Sequence, residues 1–156
     1  MKVYLAAPLF TQAHRHWNRA FAEALTAAWS ESTALDDQLD VILPQMFRAP
    51  EGVDSKERFD ALVQTCIVAI EQADALVTVL EGADADSGVA FEHGFAYARG
   101  KPIVGVRTDV RANRVHGLNI MLDHTCRRYV YRRAFDERLE PLAKAVVKAL
   151  RDASGL

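Results

Sequence analysis

The chain has 156 residues, the length of one ordinary domain; half of its residues are hydrophobic and 26% are charged. This composition excludes a disordered or collagen-like chain, and the net charge of −2 gives no positive field that would gather nucleic acid or an anionic membrane. The two cysteines form no CxxC pair, and the first apolar run is too short for a secretory signal. We therefore predict a single domain over residues 1–156 with free thiols in the cytoplasm, and no nucleic-acid or membrane partner.

The first half of the chain alternates short apolar runs with helical patterns. Residues 3–10 form a continuous apolar run that predicts a buried strand, and residues 11–29 repeat apolar side chains at three- and four-residue steps, which predicts a helix. Residues 41–43 predict a second strand, which ends at a proline. Residues 54–55 can cap a second helix. Its apolar side chains fall on one face: Phe59, Leu62, Val63, Cys66, Ile67 and Ile70.

The second half of the chain continues this alternation. The predicted elements are a strand at 75–80, a loop at 81–87, a helix that ends at Gly100, a strand at 102–106, a long loop at 107–124, a strand at 129–131, and a last helix that carries Phe135, Leu139, Leu142, Val146, Val147 and Leu150. Crossovers of this length force parallel pairing. We therefore predict an α/β fold: an open, doubly wound, flavodoxin-like parallel sheet of about five strands with helices on both faces.

Arginines surround the fifth predicted strand: Arg127, Arg128, Arg132 and Arg133. They interleave with two tyrosines, a pattern that also occurs where proteins stack on nucleic acid. We interpret them as charges that protect a solvated edge strand, since the chain as a whole is not basic.

The common nucleotide and metal motifs are missing from the sequence. No GxGxxG follows the first strand and no GxxxxGK[ST] occurs, and the five histidines form no HExxH motif or Cys/His cluster. No cofactor and no metal are therefore predicted. Any chemistry must come from side chains at the carboxyl ends of the strands, where open α/β sheets bind their ligands.

Two carboxylates follow the third predicted strand. Asp86 lies at the start of the third helix, and Glu92 lies about two turns inside this otherwise apolar helix. Such a pair suits chemistry at an anomeric carbon, because a carboxylate can trap the oxocarbenium-like transition state covalently and so retain the configuration. The alternative is that Asp86 only caps the helix and Glu92 faces solvent.

Several segments together resemble the nucleoside 2-deoxyribosyltransferases, in the same order along the chain and over about residues 1 to 125. They are the opening MKVYLAAPLF, Pro44-Gln45, Asp86-Ser87-Gly88 with Glu92-His93-Gly94, Gly100-Lys101-Pro102-Ile103, and Leu118-Asn119-Ile120-Met121-Leu122. The resemblance implies an enzyme of nucleotide salvage that acts on deoxynucleosides and free nucleobases.

The resemblance also implies roles for individual residues. Glu92 would attack C1′ of a 2′-deoxyribonucleoside and expel the base, after which a second base takes the deoxyribosyl group. Tyr4 would hold Glu92 in its attacking orientation, and Gln45 would contact the nucleobase. Asp86, with Gly88 beside it, would bind the sugar.

A neighbouring subunit is implied as well. Asn119 would bind a sugar hydroxyl, and the segment that holds Asn119 and Met121 would be lent to the site of another copy, so the protein is expected to be a homo-oligomer. This role would explain the long predicted loop.

Cys66 departs from the family pattern. Many members carry an aspartate there, which faces the base and can transfer a proton to it. A thiol is a weak donor, so either another group or water protonates the leaving base, or the enzyme prefers bases that leave without help.

Two other functions remain open at this point. One is an N-glycosidase that hydrolyses 2′-deoxynucleosides or their 5′-monophosphates; for the nucleotide substrates a first loop rich in Ser, Gly and Arg is typical, whereas residues 8–11 are Pro-Leu-Phe-Thr. The other is a non-catalytic nucleoside or nucleotide sensor. Retention of Glu92 argues against a sensor, because a pure binding site gains nothing from a poorly solvated carboxylate.

Overall fold

Five parallel strands form one sheet within the part of the chain that the computed structural model describes, which is residues 1–32, 37–110, 118–133 and 138–156. The strands are β1 (Lys2–Ala6), β2 (Asp40–Ile42), β3 (Ala75–Val79), β4 (Ile103–Arg107) and β5 (Arg128–Tyr131), and their order across the sheet is β2-β1-β3-β4-β5. The helices of the described residues are α1 (Gln12–Ser32), α2 (Ser55–Gln72), α3 (Ser87–Ala98), α4 (Ile120–Thr125) and α5 (Glu140–Ser154), and a 3-10 turn lies at Pro44–Met46.

The two faces of the sheet are covered by different helices. Side chains alternate along each strand, so Val3 and Leu5 point to one face while Tyr4 points to the other. Helices α1 and α5 pack on the first face, where Trp29 and Leu150 are completely buried. Helices α2, α3 and α4 cover the second face, which holds a smaller apolar cluster.

The predicted fold class is confirmed. All neighbouring strands pair in parallel, and each predicted strand is present to within a few residues. Asp54 caps α2 by accepting a hydrogen bond from the Glu57 N–H, and Gly100 follows the end of α3 with a φ of +69°, which L side chains rarely adopt. Strand β5 is an edge strand, as its arginines indicated.

Three boundaries differ from the prediction. Strand β1 ends at Ala6, before Pro8, because proline has no N–H to donate to the sheet. The prediction of an unbroken loop over 107–124 was wrong, because the short helix α4 occupies its end and Asn119 caps that helix by accepting from the Met121 N–H at 2.9 Å. Helix α5 begins at Glu140, and the predicted helical residue Phe135 lies outside the described residues.

The apolar side of α2 is largely uncovered. Ile70 is its buried member, whereas Phe59 is 65% exposed and Val63 is 52% exposed. No helix within the described ranges combines the length and the apolar character that crossing a membrane requires.

Candidate active site

A hydrogen bond joins β1 to α3 at the carboxyl end of the sheet. The Tyr4 hydroxyl donates to Oε1 of Glu92 at 2.5 Å, although 88 positions separate the two residues. Tyr4 is completely buried and Glu92 is half-buried, so the bond lies at the inner wall of the site. The sequence pattern paired Glu92 with Asp86, the resemblance added Tyr4, and the structure shows the hydrogen bond between Tyr4 and Glu92.

Burial controls the charge of Glu92. The pKa of Glu92 is raised to about 7: burial raises it most, the hydrogen bond from Tyr4 lowers it, and the nearby Asp86 charge raises it. Burial and the Glu92 charge raise the pKa of Tyr4, which keeps the phenol protonated as a donor. The carboxylate is therefore poorly solvated and fixed in orientation, as a nucleophile needs to be.

Cys66 of α2 lies against this pair and interacts with the Tyr4 hydroxyl. Burial raises the pKa of the Cys66 thiol, and the Glu92 charge adds to this, against a lowering by Tyr4. The thiol is therefore neutral at physiological pH. It places an uncharged, weakly donating group beside the two partners.

Asp86 begins the helix that carries Glu92. Its Oδ1 accepts from the backbone N–H groups of Gly88 at 2.9 Å and Val89 at 3.1 Å. A Cβ on Gly88 would lie 3.1 Å from that same oxygen, so glycine gives the cap its room. Asp86 is thus a helix cap, and it also lies close enough to Glu92 to shift the pKa of that carboxyl.

The Gln45 side chain is bonded to α1. Its amide nitrogen donates to the Arg15 carbonyl at 2.9 Å, and its amide oxygen accepts from Asn18 at 3.1 Å. Asn18 also donates to the Pro8 carbonyl, so it fixes the end of β1 and the turn after β2 together. A contact between Gln45 and a nucleobase stays a prediction, since the amide would have to exchange one of these partners.

Asn18 itself was missed by the sequence reasoning. It is buried, and it falls on the apolar stripe of α1 beside Phe21 and Ala22. A polar amide at a position where the helical period demands a core residue was the available signal.

Asn119 and Met121 lie on the surface rather than against Glu92. Asn119 is exposed and Met121 is 69% exposed, and neither is hydrogen-bonded to Tyr4 or Glu92 in the described part of the chain. The predicted role of this segment in a neighbouring copy therefore stays a prediction.

A buried histidine connects α4 to α3, the helix that carries Glu92. His93 follows Glu92 in sequence, and its Nε2 lies 2.6 Å from Oγ1 of Thr125. Burial lowers the pKa of His93 to about 4, so the imidazole is neutral at physiological pH. Thr125 in turn donates to the Met121 carbonyl, which links the exposed segment to α3.

A second group that the sequence reasoning missed fixes the loop in front of Asp86. Arg107 ends β4, is 1% exposed, and donates to the carbonyls of Leu80 and Gly82 at 2.8 Å each. Glu81 accepts from both the backbone and the hydroxyl of Thr108. An arginine at the end of the apolar run of β4 was the signal.

The described residues also determine whether the ligand set that a metal ion needs is present. Within the described ranges, no three His, Cys, Asp or Glu side chains are grouped closely enough to hold a metal ion. The chemistry available at the site is therefore that of a buried carboxylate, a phenol, a thiol and a capping carboxylate.

The fold and this site define an α/β protein with a desolvated carboxylate at the carboxyl edge of a parallel sheet. A family model described as nucleoside 2-deoxyribosyltransferase matches residues 3–125. The chain belongs to the nucleoside 2-deoxyribosyltransferase family, which confirms the resemblance found in the sequence. Membership supports an enzyme that handles nucleosides and nucleobases. A comparison with the curated proteins found no match.

Solved structures share the fold over nearly the whole chain. A conserved protein from Enterococcus faecalis is 28% identical with a TM-score of 0.70, covering 95% of this chain and 98% of its own. A 2-deoxyribosyltransferase from Bacillus psychrosaccharolyticus is 20% identical with a TM-score of 0.65, covering 94% and 96%. The CMP N-glycosidase of Clostridium botulinum is 18% identical with a TM-score of 0.55, covering 94% and 98%. At these identities the last two show a common fold alone.

Proposed function

We propose that the chain acts as one domain that transfers the 2-deoxyribosyl group between nucleobases of 2′-deoxyribonucleosides. The observation that carries this proposal is the half-buried Glu92 carboxylate, held by a 2.5 Å hydrogen bond from the buried Tyr4 hydroxyl. A carboxylate in this state combines poor solvation with a fixed direction of attack.

The reaction proceeds in two displacements. A Glu92 oxygen bonds to C1′ while the bond from C1′ to the base nitrogen breaks, and the electron pair leaves with the base. A nitrogen of a second base then bonds to C1′ and loses its proton to the group that protonated the first base, and the ester bond breaks to restore the carboxylate. Two inversions retain the configuration at C1′.

The leaving base must receive a proton, and position 66 holds a cysteine instead of a carboxylic acid. The raised pKa of the thiol keeps Cys66 neutral, so it can donate weakly. We therefore propose that the enzyme uses water or this thiol as the proton source and favours bases that leave without strong acid help.

Asp86 favours a nucleoside over a nucleotide. Placed at the 5′ end of the sugar, its carboxylate accepts a hydrogen bond from a free hydroxyl but repels a phosphate. At about 4 Å and an effective dielectric constant near 20, each pair of like unit charges costs about 4 kcal/mol. The Arg107 guanidinium lies against this loop, yet it is buried and bonded to the Leu80 and Gly82 carbonyls.

We expect 2′-deoxynucleosides to be used at least about a hundredfold better in kcat/KM than their 5′-monophosphates, about 2.7 kcal/mol. Asp86→Asn should narrow this ratio because it removes the charge and keeps a cap. Equal efficiency on deoxyadenosine and its monophosphate would favour the alternative function, a nucleotide N-glycosidase.

A second copy completes the site in this proposal. Asn119 and Met121 are exposed at the start of α4, which packs against α3, the helix that carries Glu92. Mixing the inactive variants Glu92→Ala and Asn119→Ala under exchange conditions should restore activity, since one site of a mixed dimer is intact. A fully active monomer in light scattering would contradict this arrangement.

The reaction type is tested by product analysis. The protein is incubated with a deoxynucleoside, with and without a second free base, and the products are separated. A new deoxynucleoside supports the transferase, free deoxyribose alone supports the hydrolase, and no product supports a sensor.

A further inference from the structure

The exposed start of α4 is attached to α3 through hydrogen bonds that begin at His93. Nε2 of His93 lies 2.6 Å from Oγ1 of Thr125, and Thr125 donates to the carbonyl of Met121, one turn earlier in α4. A carbonyl can only accept a hydrogen bond, so the one proton of the Thr125 hydroxyl is used there. The Thr125 oxygen therefore accepts from His93, and Nε2 carries the imidazole proton.

The imidazole of His93 serves this attachment and nothing else among the described residues. The residue is 1% exposed, which is too little for contact with a substrate, and its Nδ1 atom has no hydrogen-bond partner in the described part of the chain. Burial lowers the pKa of His93 to about 4, so the ring is neutral at physiological pH. Its single polar contact is thus the one to α4.

Helix α4 needs such an attachment because it is short and little buried. It has six residues, fewer than an isolated helix requires, and none of them is buried. Leu118, just before the helix, is buried, and Leu122 packs against the apolar cluster of the second face. Apolar contacts have no preferred direction, whereas a hydrogen bond requires a particular distance and angle. The bond from His93 therefore fixes the orientation of α4.

We propose that His93 is a positioning residue for the site of the neighbouring copy. Through Thr125 it holds the start of α4, where Asn119 is exposed and Met121 is 69% exposed, in the orientation that the site of the other copy requires. This inference rests on the shared site proposed above. It adds that His93 acts on the site of the other copy, although it directly follows Glu92 in its own chain.

The first measurement compares two changes of Thr125. Thr125→Val keeps the shape and removes the hydroxyl. We expect it to raise KM for a 2′-deoxynucleoside at least about fivefold and to change kcat less than about twofold, since the lost contact binds substrate and transition state alike. Thr125→Ser keeps the hydroxyl and should recover most of this loss. The control Thr26→Val removes an exposed hydroxyl bonded to the Ala22 carbonyl of α1 at 3.1 Å, and should leave KM unchanged.

Mixed pairs of variants then show which copy the hydrogen bond serves. With an excess of Glu92→Ala under exchange conditions, each Thr125→Val copy pairs with a copy whose α4 is intact, so its site should regain the wild-type KM. With an excess of Asn119→Ala, both sites of the mixed pair receive a damaged α4 segment, so neither should regain it.

The opposite pattern, recovery with Asn119→Ala and none with Glu92→Ala, would show that the bond acts on the site of its own copy. That pattern, recovery in both mixtures or in neither, or an unchanged KM in Thr125→Val would overturn the proposal. Failure of Glu92→Ala and Asn119→Ala to restore activity to each other would instead overturn the shared site, and this inference with it.

A second pair of variants applies if thermal unfolding shows that Thr125→Val folds poorly. His93→Gln keeps an N–H donor toward Thr125, whereas His93→Leu has none. In the same mixtures, His93→Leu should raise KM and regain the wild-type value with Glu92→Ala alone, and His93→Gln should raise KM less. Equal KM values in the two His93 variants would overturn the proposal.

Discussion

The two faces of the sheet differ in what they bury. The face under α1 and α5 is an apolar core in which Phe21, Trp29 and Leu150 are completely buried. The face under α2, α3 and α4 buries Tyr4 and His93 beside a half-buried Glu92; the Tyr4 hydroxyl is bonded to Glu92, and Nε2 of His93 is bonded to Thr125. The first face holds the larger apolar cluster and is expected to contribute more to stability, whereas the second holds a carboxylate partly away from water, which costs stability.

The helices show the same division. Helix α5 buries seven residues, whereas α2 buries Ile70 and leaves Phe59 and Val63 exposed. The exposed apolar side chains of α2 form a surface on which substrate or a second copy of the chain can pack. Substitutions on the two faces should therefore separate loss of stability from loss of activity.

The largest effect should come from Glu92→Ala. Loss of the nucleophile should lower kcat/KM by at least about a thousandfold, about 4 kcal/mol, without lowering the unfolding temperature. Glu92→Gln should lower kcat/KM to a similar extent. The control Glu23→Ala, at an exposed position on α1, should leave kcat/KM unchanged. Retention of more than about a tenth of the wild-type activity would contradict the assignment of Glu92.

On the opposite face, Leu150→Ala should lower the free energy of unfolding by about 3 kcal/mol, because it leaves a cavity in the core. The kcat per folded molecule should stay within about twofold of the wild type. The change Val63→Ala, which also shortens an apolar side chain but on the exposed side of α2, should cost less than about 1 kcal/mol. Urea denaturation of both variants measures these changes. Equal losses in the free energy of unfolding would contradict the difference between the two faces.

The sequence predicted the alternation and the buried carboxylate because both depend on local pattern. Glu92 stood out as an acid inside an apolar helix, and the resemblance added Tyr4. Helix α4 was not predicted, since its six residues are too few to show a period.

Long-range hydrogen bonds were out of reach of the sequence pattern. The bonds of Gln45 join positions 27 and 30 residues apart, and those of Arg107 reach back 25 and 27 positions. A residue's own neighbours in sequence carry no record of such a partner.

A smaller effect is expected for Tyr4→Phe. The Tyr4 hydroxyl lowers the pKa of Glu92, so its loss should raise that pKa above its present value of about 7. Activity should fall about 10- to 100-fold, about 1.4 to 2.7 kcal/mol, and the rise of rate with pH should move to higher pH. Tyr97→Phe, at an exposed position on α3, is the control. An unchanged pH profile of kcat/KM would contradict the role of Tyr4.

The smallest effect should be a gain in stability. Because the pKa of Glu92 is about 7 in the folded protein against an ordinary 4.5, its contribution to stability is complete below pH 4.5 and is lost as pH rises through 7. Glu92→Gln has no such loss. The variant should therefore be more stable than the wild type by about 1 to 2 kcal/mol at pH 8, a figure reduced for partial exposure, with little difference at pH 4.

Thermal unfolding at pH 4, 6 and 8 measures this gain, with Glu23→Gln as the control. A constant difference across the three pH values would show that burial does not strain the Glu92 carboxylate in the folded protein.

The central claim, that Glu92 is the nucleophile, is tested most directly by trapping its ester. The enzyme is mixed with a 2′-deoxynucleoside, quenched in acid after a brief reaction, digested, and analysed by mass spectrometry. The account predicts that the peptide with Glu92 gains the mass of one 2-deoxyribosyl group, and that Glu92→Gln gains none. An adduct on another residue, or product with inverted configuration at C1′, would contradict it.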